Sequence, residues 1–228
     1  MDSVTLAYLL ASEGFSLHLL SVDYGQRHLK ELEYARLCAE RLDADFDVAD
    51  ISGVGRLLKG SALTDDVPVP HGHYAAPNMA ITVVPNRNAI MLSIAYGVAV
   101  AEGAAVVATG VHAGDHFVYP DCRPEFIEAF DAMQKKAVEG FGHESLRLYT
   151  PFVEWSKADI VAAGTHLGVP YVDTWSCYEG GEVHCGLCAT CGERRASFVE
   201  AGLDDPKVYR VEPEVTWRVM GEEPEMKG

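Results

Sequence analysis

Segments with helical apolar spacing alternate along this chain with short apolar runs of strand length. No other feature limits the fold as much. Behind Asp2-Ser3, the residues Val4, Leu6, Ala7, Leu9 and Leu10 follow a helical period that stops at Gly14. Residues 15–25, FSLHLLSVDYG, read as a buried strand ending in Asp and Gly. A helix over 28–44, carrying Leu29, Leu32, Ala35, Leu37 and Leu42, leads to a strand over 45–52. After a Gly-, Pro- and His-containing excursion over 53–80, a mostly apolar helix is predicted at 86–103. A strand entering a Gly-rich loop follows at 104–115, an amphipathic helix at 123–142 and a strand at 146–152. The last helix, 156–168, has Ser156 as N-cap and Gly168 as stop. This order predicts an α/β protein, a parallel sheet with helices covering both faces in three α/β/α layers. Ligands of such sheets bind beyond the carboxyl ends of the strands, which singles out residues 23–27 and 110–123.

The 228 residues suit one large domain with a small appendage, here expected as 1–170 and 171–228. The tail over 214–228 is weakly patterned. A formal net charge of −16 argues against a general nucleic-acid binder, which needs a basic footprint. No apolar run reaches the roughly 18 to 20 residues of a bilayer span, and no secretory leader is evident. A cytoplasmic protein without membrane contact is the expectation.

Six cysteines are present, and four of them, Cys177, Cys185, Cys188 and Cys191, fall within 15 positions near the C-terminus. The x7, x2, x2 spacing fits one closed tetrahedral zinc site in a reducing compartment, with a structural role because four thiolates leave no open position. An iron–sulfur cluster is the competing metal, and His184 is a possible replacement ligand. Arg194, Arg195 and nearby amides are available to offset the thiolate charge. Cys38, on an apolar helix face, reads as core.

Asp2-Ser3 at a helix start is either a plain N-cap or part of an anion site, where free N–H groups and the helix dipole favour negative charge. Arg27, Arg87 and Lys157 are the cations available to phosphate or carboxylate. For Lys157 the alternative is a solvated first-turn residue, and for Arg87 a surface position after a loop.

Met1-Asp2-Ser3 resembles the second half of the PP-loop, S-G-G-x-D-S, of the N-type ATP pyrophosphatases, with Met1 at x. The segments DYGQRH (23–28), VPNRN (84–88), YPDCRPEF (119–126), TPFVEWSKADIV (150–161) and TWSCYEGGEVHCGLCATCGERRASF (174–198) are similar, in order, to the 7-cyano-7-deazaguanine synthase family. The resemblance implies the adenine nucleotide alpha hydrolase-like (PP-loop) fold and a homodimer. It implies conversion of 7-carboxy-7-deazaguanine, ammonia and ATP with Mg²⁺ into the nitrile on the route to queuosine. It puts ATP against Met1, Asp2, Ser3, Val4, Thr5, Leu6 and Ala7, together with Asp23, Gln26 and Arg27. Asp2, Ser3, Arg87 and Lys157 carry catalysis. Tyr24, Asp115, Tyr119, Asp121 and Arg123 contact the deazapurine, with Phe117 as a further stacking candidate. Either Asp115 or Asp121 accepts the two donors of the guanine-like edge. A covalent role for Cys122 is disfavoured, because an acyl-adenylate needs no protein nucleophile.

The S-G-G half of the loop is absent from the sequence. The expectation is that it lies upstream with a first central strand, and that an extended chain is more stable and more active. Competing readings are another PP-loop enzyme, the same chemistry in a natural-product or defence pathway, and a zinc-ribbon scaffold without catalysis.

Overall fold

The computed structural model describes residues 1–71, 77–213 and 215, so most of the weakly patterned tail lies outside it. The chain runs α1 (Asp2–Ser12), β1 (His18–Asp23), α2 (Lys30–Leu42), β2 (Asp45–Asp50) and the single turn α3 (Ser52–Gly55). It continues with α4 (Arg87–Glu102), β3 (Val106–Ala108), α5 (Pro124–Ala137), β4 (Arg147–Tyr149), α6 (Lys157–His166) and α7 (Ala189–Glu200). Every helix and strand expected from periodicity is present, with ends trimmed by up to seven residues, the most where 104–115 enters the Gly-rich loop. Two are added within the segments left irregular: α3 opens the excursion, and α7 follows the cysteine loop.

All strand pairing is parallel, as the alternation requires. Among the described residues the strands form two pairs, β1 with β2 and β3 with β4. Between the pairs lies a cavity of about 470 Å³, lined by residues 18–22 of β1, 106–108 of β3, Leu6 and Leu10 of α1, and Leu92 and Ala99 of α4. In a parallel strand alternate residues bond to opposite neighbours, so half the β1 amides have no ladder partner among the described residues on the cavity side. Hydrogen exchange is expected to separate them: amides bonded to β2 persist, while their alternates exchange at least tenfold faster. Uniform protection along β1 would show that the edge is covered.

Helix α1 packs on α6 through two patches. Leu6 and Leu10 meet Phe152 and Ile160, while Met1 joins Val161, Val169, Tyr171 and Phe198. Between them the buried Thr5 hydroxyl lies 3.0 Å from the Tyr171 hydroxyl, which in turn donates to the Ile160 carbonyl. The α6 start is a full capping box: Ser156 Oγ accepts from the Asp159 amide at 3.1 Å and Asp159 Oδ2 accepts from the Ser156 amide at 2.9 Å. A second core, under α4 and α5, gathers Leu92, Tyr96, Val107, Phe130 and Leu148.

The C-terminal region is locked by Arg194 of α7, which is fully buried. Its Nε and Nη2 hold Asp205 at 2.9–3.2 Å, Nη1 donates to Thr174 Oγ1 at 2.6 Å and Nη2 donates to the Tyr171 carbonyl at 2.9 Å. Removing one partner of a buried pair strands the other charge. Arg194→Met is therefore expected to lower unfolding free energy by about 3–5 kcal/mol in urea titrations. A loss under 1 kcal/mol would mean that Asp205 finds water.

Candidate active site and metal centre

The amino end of α1 is where the anion chemistry concentrates. Its first backbone N–H groups have no intrahelical acceptor, and the dipole adds positive potential. Gly110, just past β3, lies against this end: a Cβ there would sit 3.2 Å from the Asp2 carbonyl carbon and the Ser3 nitrogen, a contact that α1 would have to yield by a few tenths of an ångström to admit. Lys157, the first residue of α6, reaches under the same end. Its Nζ lies 3.4 Å from Asp2 Oδ2 and 2.6 Å from Glu193 Oε2 on α7. Burial alone would lower the pKa of Lys157, but Asp2 and Glu193 hold it above the ordinary lysine value. Burial likewise opposes the Asp2 carboxylate, yet Lys157 keeps Asp2 well below the usual carboxylate range. Glu193 is shifted up by burial, a shift that Lys157 only partly offsets. The result is a fixed cation at a helix start. Asp2 Oδ1 is buried without a hydrogen-bond partner among the described residues, a free carboxylate oxygen at a site that suits a phosphate-bound cation.

The loop after β3 continues this wall. His112 is buried, its Nδ1 accepts from the Gly114 amide, and its Nε2 lies 3.6 Å from Asp115 Oδ2. Asp115 Oδ2 in turn accepts from the His112 amide at 3.4 Å, which holds the carboxylate in this loop.

The second pocket is built around Arg87, the first residue of α4. Its guanidinium lies 6.0 Å from the Tyr24 ring centre and 5.7 Å from that of Tyr119. Burial opposes the charge, but a guanidinium keeps its proton in a protein, and the Tyr24 and Tyr119 rings flank it. No carboxylate pairs with it among the described residues. Tyr24 is held there by Gly55, where a Cβ would lie 1.7 Å from the Tyr24 carbonyl oxygen. A charged, half-buried guanidinium in an aromatic cradle without a protein anion is ready to take one from a ligand.

Near the C-terminus the four cysteine sulfurs of Cys177, Cys185, Cys188 and Cys191 are buried and lie within 4.8 Å of one another. Three separations are 3.5, 3.9 and 4.0 Å. One tetrahedral ion with metal–sulfur bonds near 2.3 Å spaces its ligands about 3.8 Å apart, so this geometry fits a single ion and is too tight for an iron–sulfur cluster. His184 is outside the ligand set: its Nε2 accepts from the Ser176 amide at 3.1 Å. Burial, with Arg194 and Lys207 adding to it, depresses its pKa to about 3 and keeps the ring neutral. The expected charge compensation by arginine does not occur. Arg194 is paired with Asp205 and Arg195 with Glu212 at 3.0 Å. Backbone amides take that role, with Cys185 donating to Cys177 Sγ, and Leu187 and Cys188 both donating to Cys185 Sγ, at 3.2–3.4 Å.

A family model described as queuosine biosynthesis protein QueC matches residues 1–202. The chain belongs to the QueC family. Relatives named 7-cyano-7-deazaguanine synthase include those of Brucella anthropi, 57% identical over 209 residues (92% of this chain, 89% of the relative), and Ruegeria pomeroyi, 57% identical over 218 residues (96% and 93%). The 7-cyano-7-deazaguanine synthase 1 of Mesorhizobium japonicum is 58% identical over 209 residues (92% and 89%).

Within this QueC chain the expected site residues separate into three groups. Asp2, Ser3, Lys157 and Asp115 gather at the start of α1, and Tyr24, Arg87 and Tyr119 at the start of α4. The four cysteines form a group that could hold one metal ion. Others have local work. Asp121 Oδ2 accepts from the Asn88 amide at 2.9 Å and caps α4, while Asp115 Oδ2 accepts from the His112 amide at 3.4 Å. Arg27 donates to the carbonyls of Ala62 and Val67, pinning the excursion. Arg123 Nε donates to the His116 carbonyl, Asp23 accepts from Gly25, and Gln26 accepts from the Tyr24 amide. Thr5, Leu6 and Ala7 have their side chains in the core, and Phe117 is exposed. Cys122, buried beside Asn88, has its thiol pKa pushed up by burial and by Asp115 and Asp121, which rules against a nucleophile. Glu193 and His112 are the residues that sequence reasoning missed. Glu193 stands two positions past Cys191 in CGERR, where it reads as solvated helix surface.

Proposed function

We propose that this protein converts 7-carboxy-7-deazaguanine, ammonia and two ATP into 7-cyano-7-deazaguanine. The reading is carried by one observation: a buried cation, Lys157, held by Asp2 and Glu193 beneath the amino end of α1, in a chain about 57% identical to curated synthases of that name.

The chemistry follows from what a carboxylate lacks. Ammonia does not displace oxide, so the carboxylate oxygen first attacks the α-phosphorus of ATP and pyrophosphate leaves. Ammonia then displaces AMP from the mixed anhydride to give the amide. The amide oxygen attacks a second ATP, pyrophosphate leaves again, and loss of AMP with a proton yields the nitrile. Both activations build negative charge on the departing pyrophosphate, and a preorganised cation with backbone N–H groups stabilises that charge. Lys157 and the α1 amides of Asp2 and Ser3 supply them. Asp2, with Oδ1 free, would hold Mg²⁺, which supplies further charge neutralisation when bound. Arg87 grips an anion of the substrates, Tyr24 and Tyr119 flank the flat ring, and Asp115 accepts from its guanine-like edge.

In this proposal the metal is zinc in a structural role, and the acting unit is a cytoplasmic homodimer. Residues 1–170 form the ATP-handling unit, with 171–228 docked on it as the metal-binding region. The cytoplasm agrees with six unpaired cysteines, and no helix among the described residues is long and apolar enough to cross a membrane.

The test is a balance of products. With zinc, Mg²⁺, ammonium and ATP, two AMP and two pyrophosphate are expected per nitrile, and limiting ATP should leave the amide. Folded, zinc-loaded protein that releases no nitrile overturns the proposal.

A further inference from the structure

The x7 segment between the first two metal ligands holds a side chain that the reaction scheme above leaves unused. Tyr178 follows Cys177 directly, yet it packs at once against the central core, the cysteine cluster and the Tyr24–Leu63–Val84 cluster. Its hydroxyl lies 3.4 Å from that of Tyr119, which lies 2.9 Å from Thr82 Oγ1. Thr82 donates its only proton to the Met79 carbonyl at 2.7 Å. The donor inventory then fixes the direction of the chain: Tyr119 donates to Thr82, and Tyr178 donates to Tyr119. Tyr119 is buried and is one of the two rings flanking the Arg87 guanidinium. The backbone at Tyr178 is held from the other side, because the Cys177 carbonyl accepts from the Trp175 indole at 2.9 Å and the Cys177 sulfur belongs to the metal set.

We propose that Tyr178 is a positioning residue that orders the Tyr119 wall of the Arg87 anion pocket, so that the metal-binding loop sets the affinity of the distant substrate site. The inference rests on the proposed function for the identity of the anion, which is either the carboxylate of the heterocycle or a phosphate of ATP. Tyr178 holds Tyr119 in the rotamer that flanks Arg87, and the metal fixes Tyr178. Removing the Tyr178 hydroxyl leaves the ring packed and takes away one of the two hydrogen bonds that fix the Tyr119 hydroxyl.

The test is equilibrium binding to the zinc-loaded protein, with 7-carboxy-7-deazaguanine and ATP titrated separately by calorimetry. Zinc content and melting temperature are recorded for each variant. Tyr178→Phe is expected to weaken one of the two ligands by about tenfold, and the ligand affected names the anion. Zinc content should stay unchanged. In a Tyr119→Phe background the same substitution should add less than twofold, because the hydroxyl it acts through is gone. If Tyr178→Phe leaves both affinities unchanged, the inference fails while the proposed function stands. A tenfold loss that persists undiminished in the Tyr119→Phe background also overturns it, since the path would not run through Tyr119. Wild-type protein that binds neither ligand sinks the functional reading and this inference together.

Discussion

Lys157→Met is expected to cut kcat/KM for nitrile formation by roughly 10²–10³-fold, the cost of removing one preorganised charge from a developing oxyanion. Lys157 is well suited to such a role because its charge is fixed before substrate arrives. Glu193 at 2.6 Å and Asp2 at 3.4 Å hold it protonated despite burial. The same contacts give the variant a second signature. Without Lys157, the carboxylates of Asp2 and Glu193 face each other unpaired, and unfolding free energy is expected to fall by about 3–5 kcal/mol. The pH dependence follows from the sign of the Asp2 shift. In the wild type its folded pKa is depressed, so Asp2 contributes stability that is fully present above its unfolded pKa of 3.8 and lost as pH falls through the lower folded value. Lys157→Met removes that contribution, and the variant should show a shallower loss of stability between pH 5 and pH 2. Kinetics measured at low temperature on protein with native circular dichroism separates catalysis from folding. Full activity in folded Lys157→Met would remove Lys157 from the mechanism.

What could be read in the chain is what neighbours in sequence decide. The Ser156 cap, the Gly168 stop and the metal set all lie within a few residues of what they act on, and each is where periodicity and spacing put it. The parallel direction of the strands followed from helices between them. The pairings that join distant segments were not legible. For Lys157 the phosphate cation and the solvated first-turn residue stand side by side until Glu193, 36 positions away, is seen against it. The capping contact of Asp121 is hidden until the Asn88 amide, 33 positions back, is seen against it. Arg27 looks like a free cation, yet the carbonyls it holds, Ala62 and Val67, belong to a segment without any period. Carbonyls carry no side-chain signature, so a sequence gives no warning that an arginine is already committed to them. The split of the strands into two pairs is likewise a matter of edges, which local pattern does not encode.

Removing the metal is expected to open residues 177–191 while leaving the α1–α6 core folded. The four sulfurs lie 3.5–4.0 Å apart where measured, a spacing at which several thiolates cannot stay charged without a cation among them. Stripped of metal, they must take up protons or move apart. Their amide donors, Cys185, Leu187 and Cys188, are on the same loop and give no anchor elsewhere. Trp175 reports the opening: it is 7% exposed, stacks on Tyr34 at 5.7 Å, and its indole N–H is spent on the Cys177 carbonyl. Its emission should shift to longer wavelength as the loop leaves. Thiol counting gives the independent measure. Cys38 and Cys122 are buried in the α2 face and the central core, so a thiol reagent should find four fast-reacting groups after chelation and none before it. Cys188→Ser should behave as the stripped protein does, with weak metal retention. Because metal binding requires deprotonated sulfur, metal release should grow steeper as pH falls below 7. Six reactive thiols after chelation would mean that the loop and the core melt as one unit, and that the metal supports the whole fold rather than its C-terminal region.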